Sequence, residues 1–355
     1  MKMCNVILST EPHGGKGGVA TVIPMYLEAL KMLGETEFIP THVGGGFVGK
    51  FIPWFISFFR CSLVANKNPN CRVIFHLHPG SGFCIIRMFC LAIYLRYVMR
   101  QCIFVYLHTP YLDKYLNSRF WREVIHGLAK CASRMIVLTS YAKDLLEENG
   151  LRGNFRVIPN PFRTKIGSPS KRSESIHRDE ILIMGRMVPG KGFLETIRAF
   201  VHLPKSFRLI VAGEGPLKRE VLEEIKALEI GDRVEFKGWV CGAEKDFLLS
   251  SAAIFCLPSR VDSFGMSFIE AQCHDIPIVA FGHPPVMEVV QRDRARFVDS
   301  LDPKLLAAAI LDANGLNSKI RNGEGRVWVS RQFGIDTVSE KLAEVINELL
   351  MKQRL

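Results

Sequence analysis

Short β-branched runs alternate with longer stretches of helical apolar spacing along almost the whole chain. The short runs predict strands at Asn5–Ser9, Val73–His78, Ile103–His108 and Met135–Thr139 in the first half. In the second half they predict strands at Ile181–Met184, Arg208–Ala212, Val234–Lys237, Ala253–Leu257 and Pro277–Phe281. The helical spacing predicts helices at Val19–Leu33, Ile85–Arg100, Trp121–Cys131 and Tyr141–Asn149. Others are expected at Lys191–His202, Leu217–Leu228, Phe264–Cys273 and Pro303–Asp312, with a last amphipathic pattern over Thr337–Leu350. Thr164–Asp179 is polar, with Gly, Pro and several Ser, and reads as a linker. Strand–helix alternation over short connections implies α/β architecture, with parallel sheets covered on both faces. The linker predicts two doubly wound domains facing each other across a cleft, over residues 1–165 and 166–330, followed by a helical segment at 331–355. Ligands of such sheets bind beyond the carboxyl ends of the strands, so chemistry is sought there.

At 355 residues the chain has length for two cores, and 48% apolar with 23% charged residues excludes a disordered or collagenous protein. Its ten cysteines contain no C-x-x-C pair, so neither a zinc knuckle nor a thioredoxin-type site is signalled. Met1-Lys2-Met3-Cys4-Asn5 leads directly into a strand-like run without a secretory pattern, and a reduced cytoplasmic setting is expected. The net charge of +11 resides in residues 1–165, while the remainder balances. From Phe38 to Leu112 there are seven basic residues (Lys50, Arg60, Lys67, Arg72, Arg87, Arg96, Arg100) and no Asp or Glu. That asymmetry suggests an anionic partner, either nucleic acid or an acidic membrane surface. No nucleic-acid recognition motif accompanies it, so nucleic acid is not expected. Phe83–Tyr106 is apolar but interrupted by Arg87, Arg96 and Arg100, each costing about 2.5–3.5 kcal/mol in a bilayer centre, which argues against a span. Phe51–Phe59 (FIPWFISFF) is too short to span; it reads as a buried element or, flanked by Lys50 and Arg60, as a segment at a lipid boundary.

Three loops carry candidate chemistry. Pro12-His13-Gly14-Gly15-Lys16-Gly17-Gly18-Val19 precedes a helix, and its glycines let backbone N–H groups approach a phosphate; a flexible turn fits the same residues. It is not a P-loop, because no Gly-Lys-Ser/Thr follows. Gly185-Arg186-Met187-Val188-Pro189-Gly190-Lys191-Gly192 follows the first strand of the second half. There Arg186 and Lys191 either grip a diphosphate or are solvated surface cations. Pro258-Ser259-Arg260-Val261-Asp262-Ser263-Phe264-Gly265-Met266-Ser267-Phe268-Ile269-Glu270-Ala271 places Asp262 before a helix and Glu270 within it. These are a cap and a buried acid, or carboxylates that accept sugar and ribose hydroxyls beside an anion-binding helix start.

Together the loops resemble those of a glycosyltransferase with two Rossmann-like domains (GT-B), in the large retaining family numbered four, glycosyl transferases group 1. The matching stretches are Gly17-Gly18-Val19, Gly185-Arg186…Lys191-Gly192 and Pro258-Ser259…Asp262…Phe264-Gly265…Glu270-Ala271. His76-Leu77-His78, Leu107-His108-Thr109, Val157-Ile158-Pro159-Asn160-Pro161, Val211-Ala212-Gly213-Glu214-Gly215-Pro216 and Gly238-Trp239-Val240 match as well. The resemblance runs in order along nearly the whole chain and is weaker between Phe38 and Cys71. It implies that Arg186 and Lys191 hold the donor's diphosphate, with the backbone of Gly17, Gly18 and Gly265–Ser267, next to Phe264. It implies too that Glu270 accepts ribose hydroxyls, that the main chain near Val240 meets the nucleobase, and that Asp262 reaches the transferred sugar. His108 would sit beneath that sugar, or be simply a hydrogen-bonded strand-end residue. The terminal helix would pack back on the first domain. Asp262 stands where the family usually has Glu, and Gly282-His283-Pro284-Pro285 departs from the glycine pair often found there, so donor-sugar contacts at both places are open.

The implied reaction moves a sugar from a UDP- or GDP-type nucleoside diphosphate sugar to an acceptor hydroxyl with retention. Positioned cations would do the work of a divalent metal, so no metal and no other cofactor is expected. His76 and His78 lack an evident third ligand and read as strand-end packing rather than a metal site. The acid-free stretch 38–112 suits a lipid-linked glycan acceptor and peripheral contact with an acidic membrane surface. That places the protein in cell-surface polysaccharide assembly (O-antigen, capsule or exopolysaccharide) at the cytoplasmic face of the inner membrane. The rival readings are a silent partner subunit of the same fold and an epimerase-like enzyme.

Overall fold

The computed structural model describes residues 2–12, 18–44, 46–164, 179–320 and 323–352. It divides into two compact units, Met1–Arg163 with Phe333–Leu355, and Thr164–Gln332. The Thr164–Asp179 linker falls almost wholly, and Gly17 entirely, outside the described residues.

The first unit contains β1 (Lys2–Thr10), α1 (Gly18–Lys31), β2 (Glu35–His42), α2 (Gly46–Lys67), β3 (Cys71–Leu77), α3 (Phe83–Ile93), β4 (Cys102–Leu107), α4 (Leu112–Asn117), α5 (Arg119–Cys131), β5 (Arg134–Val137), α6 (Ser140–Glu148) and β6 (Phe155–Val157). Its strands form a six-stranded parallel sheet in the order β2-β1-β3-β4-β5-β6. β3, β4 and β5 are buried almost continuously, as strands covered by helices on both faces must be. The edge strand β2 is mostly half-exposed and contains Pro40, which an edge tolerates.

The second unit contains β7 (Glu180–Met184), α7 (Phe193–Phe200), β8 (Arg208–Ala212), α8 (Lys218–Ala227), β9 (Val234–Gly238), α9 (Gly242–Ser251), β10 (Ile254–Leu257), α10 (Met266–Cys273), β11 (Ile278–Phe281), α11 (Pro284–Val289), β12 (Ala295–Val298), α12 (Pro303–Asn314) and α13 (Asn317–Ile320). Its parallel sheet runs β12-β11-β10-β7-β8-β9. The chain proceeds from β7 outward to β9, then returns to lay β10 on the other side of β7. The β7/β10 boundary is therefore a topological switch point, where loops at the strand ends part and leave room for a ligand. α14 (Glu324–Phe333) ends at the boundary between the units. α15 (Ile335–Lys352) belongs to the first unit and lies on α1, where Ser339 Oγ donates to the Ala29 carbonyl at 2.9 Å.

Two readings of the basic stretch change. Phe51–Phe59 is the middle of the 22-residue helix α2, and Val48–Lys67 is by length and composition alone apolar enough to cross a membrane. Its inner side nonetheless packs on the first unit: Trp54 Nε1 donates to the Arg87 carbonyl at 2.9 Å, and Phe58 lies 5.1 Å from the Tyr94 ring. Arg87 is buried rather than displayed, its guanidinium donating to the Lys50 carbonyl. Phe83–Tyr106 divides into α3, a π turn at Tyr94–Val98 and β4.

Candidate functional site

At the carboxyl ends of β7 and β10 two loops clamp each other. The Arg260 N–H donates to the Gly190 carbonyl at 2.8 Å. Gly192 has φ +87°, and a Cβ there would lie 2.7 Å from the Pro258 ring and 2.9 Å from its carbonyl carbon. Only glycine meets both demands. Gly192→Ala is therefore expected to destabilise this unit by about 2 kcal/mol or more, lowering its unfolding midpoint by roughly 5 °C in thermal denaturation.

The clamp brings Lys191 Nζ to 2.5 Å from Asp262 Oδ1, with Asp262 buried and Lys191 largely so. Asp262 Oδ2 is buried and has no partner among the described residues. Arg186 is exposed at the end of β7, without a side-chain hydrogen bond or ion pair among the described residues. Gly265, at φ +87°, caps α10, and a Cβ there would lie 2.7 Å from the Phe268 ring. Phe264 is wholly buried and anchors the turn. Met266 and Ser267 open α10, where helix geometry leaves N–H groups without intrahelical acceptors. One turn on, Glu270 Oε1 takes a hydrogen bond from Lys245 Nζ of α9 at 2.7 Å. Val240 is buried, in the turn between β9 and α9.

These residues supply cations, a helix start and two carboxylates on neighbouring strand ends. Lys245 is absent from the sequence reading because α9 is short and weakly amphipathic, so its lysine cannot be assigned to a face from spacing.

In the first unit, His78 and His108 follow the ends of the adjacent strands β3 and β4. His78 Nδ1 lies 2.9 Å from His108 Nε2, and both rings are buried. His78 stacks on Tyr106 at 4.2 Å, and Tyr26 Oη donates to Asn160 Oδ1 at 3.2 Å, which gives the Pro159-Asn160-Pro161 segment a packing role. His76 sits 3.1 Å from Asn5 Oδ1 and 2.8 Å from Tyr106 Oη. Since an amide oxygen only accepts, His76 Nε2 carries the proton and Nδ1 accepts from the tyrosine. Burial lowers His76 and His108 to about 3 and drives His78 well below its ordinary value, so all three rings are neutral at pH 7. Among the described residues no three His, Cys, Asp or Glu side chains converge as a metal-ligand set. Gly18 begins α1 and is exposed.

Residues 169–322 match the model of a family described as Glycosyl transferases group 1. Over 272 residues the chain is 25% identical to the alpha-monoglucosyldiacylglycerol synthase of Streptococcus pneumoniae, covering 72% of this chain and 55% of that one. Over 234 residues it is 23% identical to the amylovoran biosynthesis glycosyltransferase AmsD of Erwinia amylovora, covering 62% of this chain and 63% of that one. The matched stretches span from 49% to 67% of the first curated relatives' own lengths. Anabaena HepE, solved with UDP and glucose, shares the fold at a TM-score of 0.75 and 19% identity, over 97% of this chain and 99% of that one. The group 1 glycosyltransferase model thus matches residues 169–322, within the second unit, and the two-domain GT-B fold is shared over nearly the whole chain.

Proposed function

We propose that the protein transfers a sugar, with retention, from a nucleoside diphosphate sugar of the UDP or GDP type to an acceptor hydroxyl. The observation that carries this reading is the meeting of Lys191 and Asp262, at 2.5 Å, with exposed Arg186 at the end of the adjacent strand β7 and the start of α10 following β10. Arg186 and Lys191 hold the diphosphate together with the N–H groups at Gly265–Ser267. Glu270, oriented by Lys245, takes the ribose hydroxyls through its other oxygen, and the main chain at Val240 takes the base. Asp262 Oδ2, buried and without a described partner, accepts a hydroxyl of the transferred sugar. His108, its Nε2 engaged with His78, meets substrate through its other ring nitrogen.

As the bond from the anomeric carbon to the leaving phosphate oxygen breaks, charge grows on the diphosphate, where the two cations and the helix start stabilise it. The acceptor oxygen attacks the oxocarbenium-like carbon from the same face and gives its proton to the departing phosphate oxygen. No divalent ion is needed for that charge.

A lipid-linked glycan is the acceptor on this reading, within cell-surface polysaccharide or lipopolysaccharide assembly at the cytoplasmic face of a membrane. The acid-free basic stretch 38–112 and the relatives named for a diacylglycerol glycolipid and for amylovoran support it. The experiment is nucleoside diphosphate release from UDP-, GDP- and ADP-sugars with EDTA present, followed by the anomeric configuration of the product. Slow EDTA-insensitive release from one donor is expected, with the α or β linkage of the donor kept in the product. Release that requires added divalent ion, or an inverted product, would contradict it.

A further inference from the structure

Helix α2 has a second apolar side that nothing described in the structure covers. Val48, Ile52, Phe55, Ile56, Phe59 and Leu63 recur at helical spacing and are between 41% and 75% exposed. They form one stripe, because steps of three and four residues return to the same face. The opposite side is the one that packs inward, through Trp54, Ser57, Phe58 and Cys61. Fully burying each large side chain of such a stripe is worth about 1.5–3 kcal/mol, so a stripe of six left in water is a standing cost unless something receives it.

The charges around it say what receives it. Arg60 and Lys67 are exposed on the helix beside the stripe, and Arg96 and Arg100 are exposed just beyond α3, which packs against the inner side of α2. The sequence has no carboxylate between Phe38 and Leu112, and the exposed acids on the strand packed against α2 are Glu35 and Glu37, at the start of β2. A second protein copy bringing the same stripe would also bring the same excess of positive charge, whereas an anionic lipid surface offers apolar depth and negative headgroups together.

We propose that the outer stripe of α2 is a membrane-docking surface that lies in the headgroup boundary of an acidic bilayer, helix axis parallel to the membrane plane. The helix does not span, because its inner side stays packed on the first unit while Val48–Leu63 enters the lipid. The basic side chains that act are Arg60, Lys67, Arg96 and Arg100; Arg87, turned inward, does not. This deepens the lipid-linked acceptor reading by naming the surface that delivers the enzyme to that acceptor, and it stands or falls separately.

The test is sedimentation of the full chain with vesicles of phosphatidylcholine alone and of phosphatidylcholine with 30% phosphatidylglycerol, a composition of about one anionic lipid in three. The parent chain is expected to bind the acidic vesicles and to be released by raised salt. Phe55→Ser/Phe59→Ser should bind at least about tenfold more weakly. Arg60→Gln/Lys67→Gln should lose about fivefold for each charge removed on acidic vesicles alone. Both pairs are exposed, and circular dichroism with acceptor-free donor release shows that each variant is folded. Negligible binding of the parent chain to both vesicles overturns the docking surface, as does binding unchanged in the Phe55/Phe59 variant. A concentration-dependent dimer, dissociated by Phe55→Ser/Phe59→Ser in analytical ultracentrifugation, would make a second copy the occupant and overturn it equally. Donor release with no vesicle binding leaves the transferase reading intact, and vesicle binding without donor binding does the reverse.

Discussion

The Lys191→Met variant is expected to lose about three orders of magnitude in kcat/KM for its sugar donor. It also unfolds more easily than the parent chain. The first effect follows from the proposed role: a cation aimed at the leaving diphosphate stabilises charge that exists mainly in the transition state, so kcat falls more than binding. The second follows from the observed pair. Lys191 Nζ is the side-chain partner of the buried Asp262, and removing one member of a buried ion pair costs about 3 kcal/mol or more because the other charge stays behind. The two effects separate in the double variant Lys191→Met/Asp262→Asn, where the stranded charge is gone. Urea unfolding should recover most of the lost stability, while steady-state turnover should not recover. A single Lys191→Met with parental turnover would remove the lysine from the proposed chemistry.

Acid weakens the first unit through its buried histidines. Burial holds His76 and His108 at about 3, against an ordinary value near 6.5, and lowers His78 in the same direction. Below about 6.5 the unfolded chain takes up protons that the folded unit refuses. Stability conferred by these residues is therefore complete above that pH and lost as the pH falls, by about 1.4 kcal/mol per unit for each ring. At pH 5 His76 and His108 would each lower stability by about 2 kcal/mol relative to pH 7.5, with His78 adding to the loss. Urea unfolding at the two pH values measures this. Because carboxylates titrate nearby in pH, the decisive comparison is His76→Gln, in which the difference between pH 7.5 and pH 5 should shrink by about 2 kcal/mol. An unchanged difference would mean that the ring is protonated in the folded chain.

The interior of both sheets is legible in the amino-acid pattern because parallel central strands are buried on both faces. Val73–His78, Ile103–His108 and Ile181–Met184 are short, β-branched or aromatic, and apolar nearly throughout. The edge strands β2 and β12 do not stand out, since edges mix polar residues and, in β2, carry Pro40. β6 is only three residues long. α2 is hidden for the opposite reason. It is apolar on both sides, so its sequence shows no contrast from which to read a helical period, and Pro53 lies within its first turns. The loops at the ends of β7 and β10 are legible as candidate chemistry because glycine, cation and carboxylate stand at fixed offsets from a strand. What spacing cannot show is pairing across elements. Lys191 meeting Asp262, Lys245 holding Glu270 and His78 touching His108 each join residues at least 25 positions apart. Composition likewise places Arg87 among the surface charges, whereas packing against α2 turns it inward.

The most direct test of the central claim is titration calorimetry of UDP and GDP into the intact chain in EDTA, repeated with Arg186→Ala/Lys191→Ala. Saturable binding of one nucleoside diphosphate without metal is expected, weakened at least about a hundredfold in the double variant, since each diphosphate contact is a charge-assisted hydrogen bond. Binding of either nucleotide unaffected by the double substitution, or no binding of either, would contradict the assignment of this strand-end pair to the donor diphosphate.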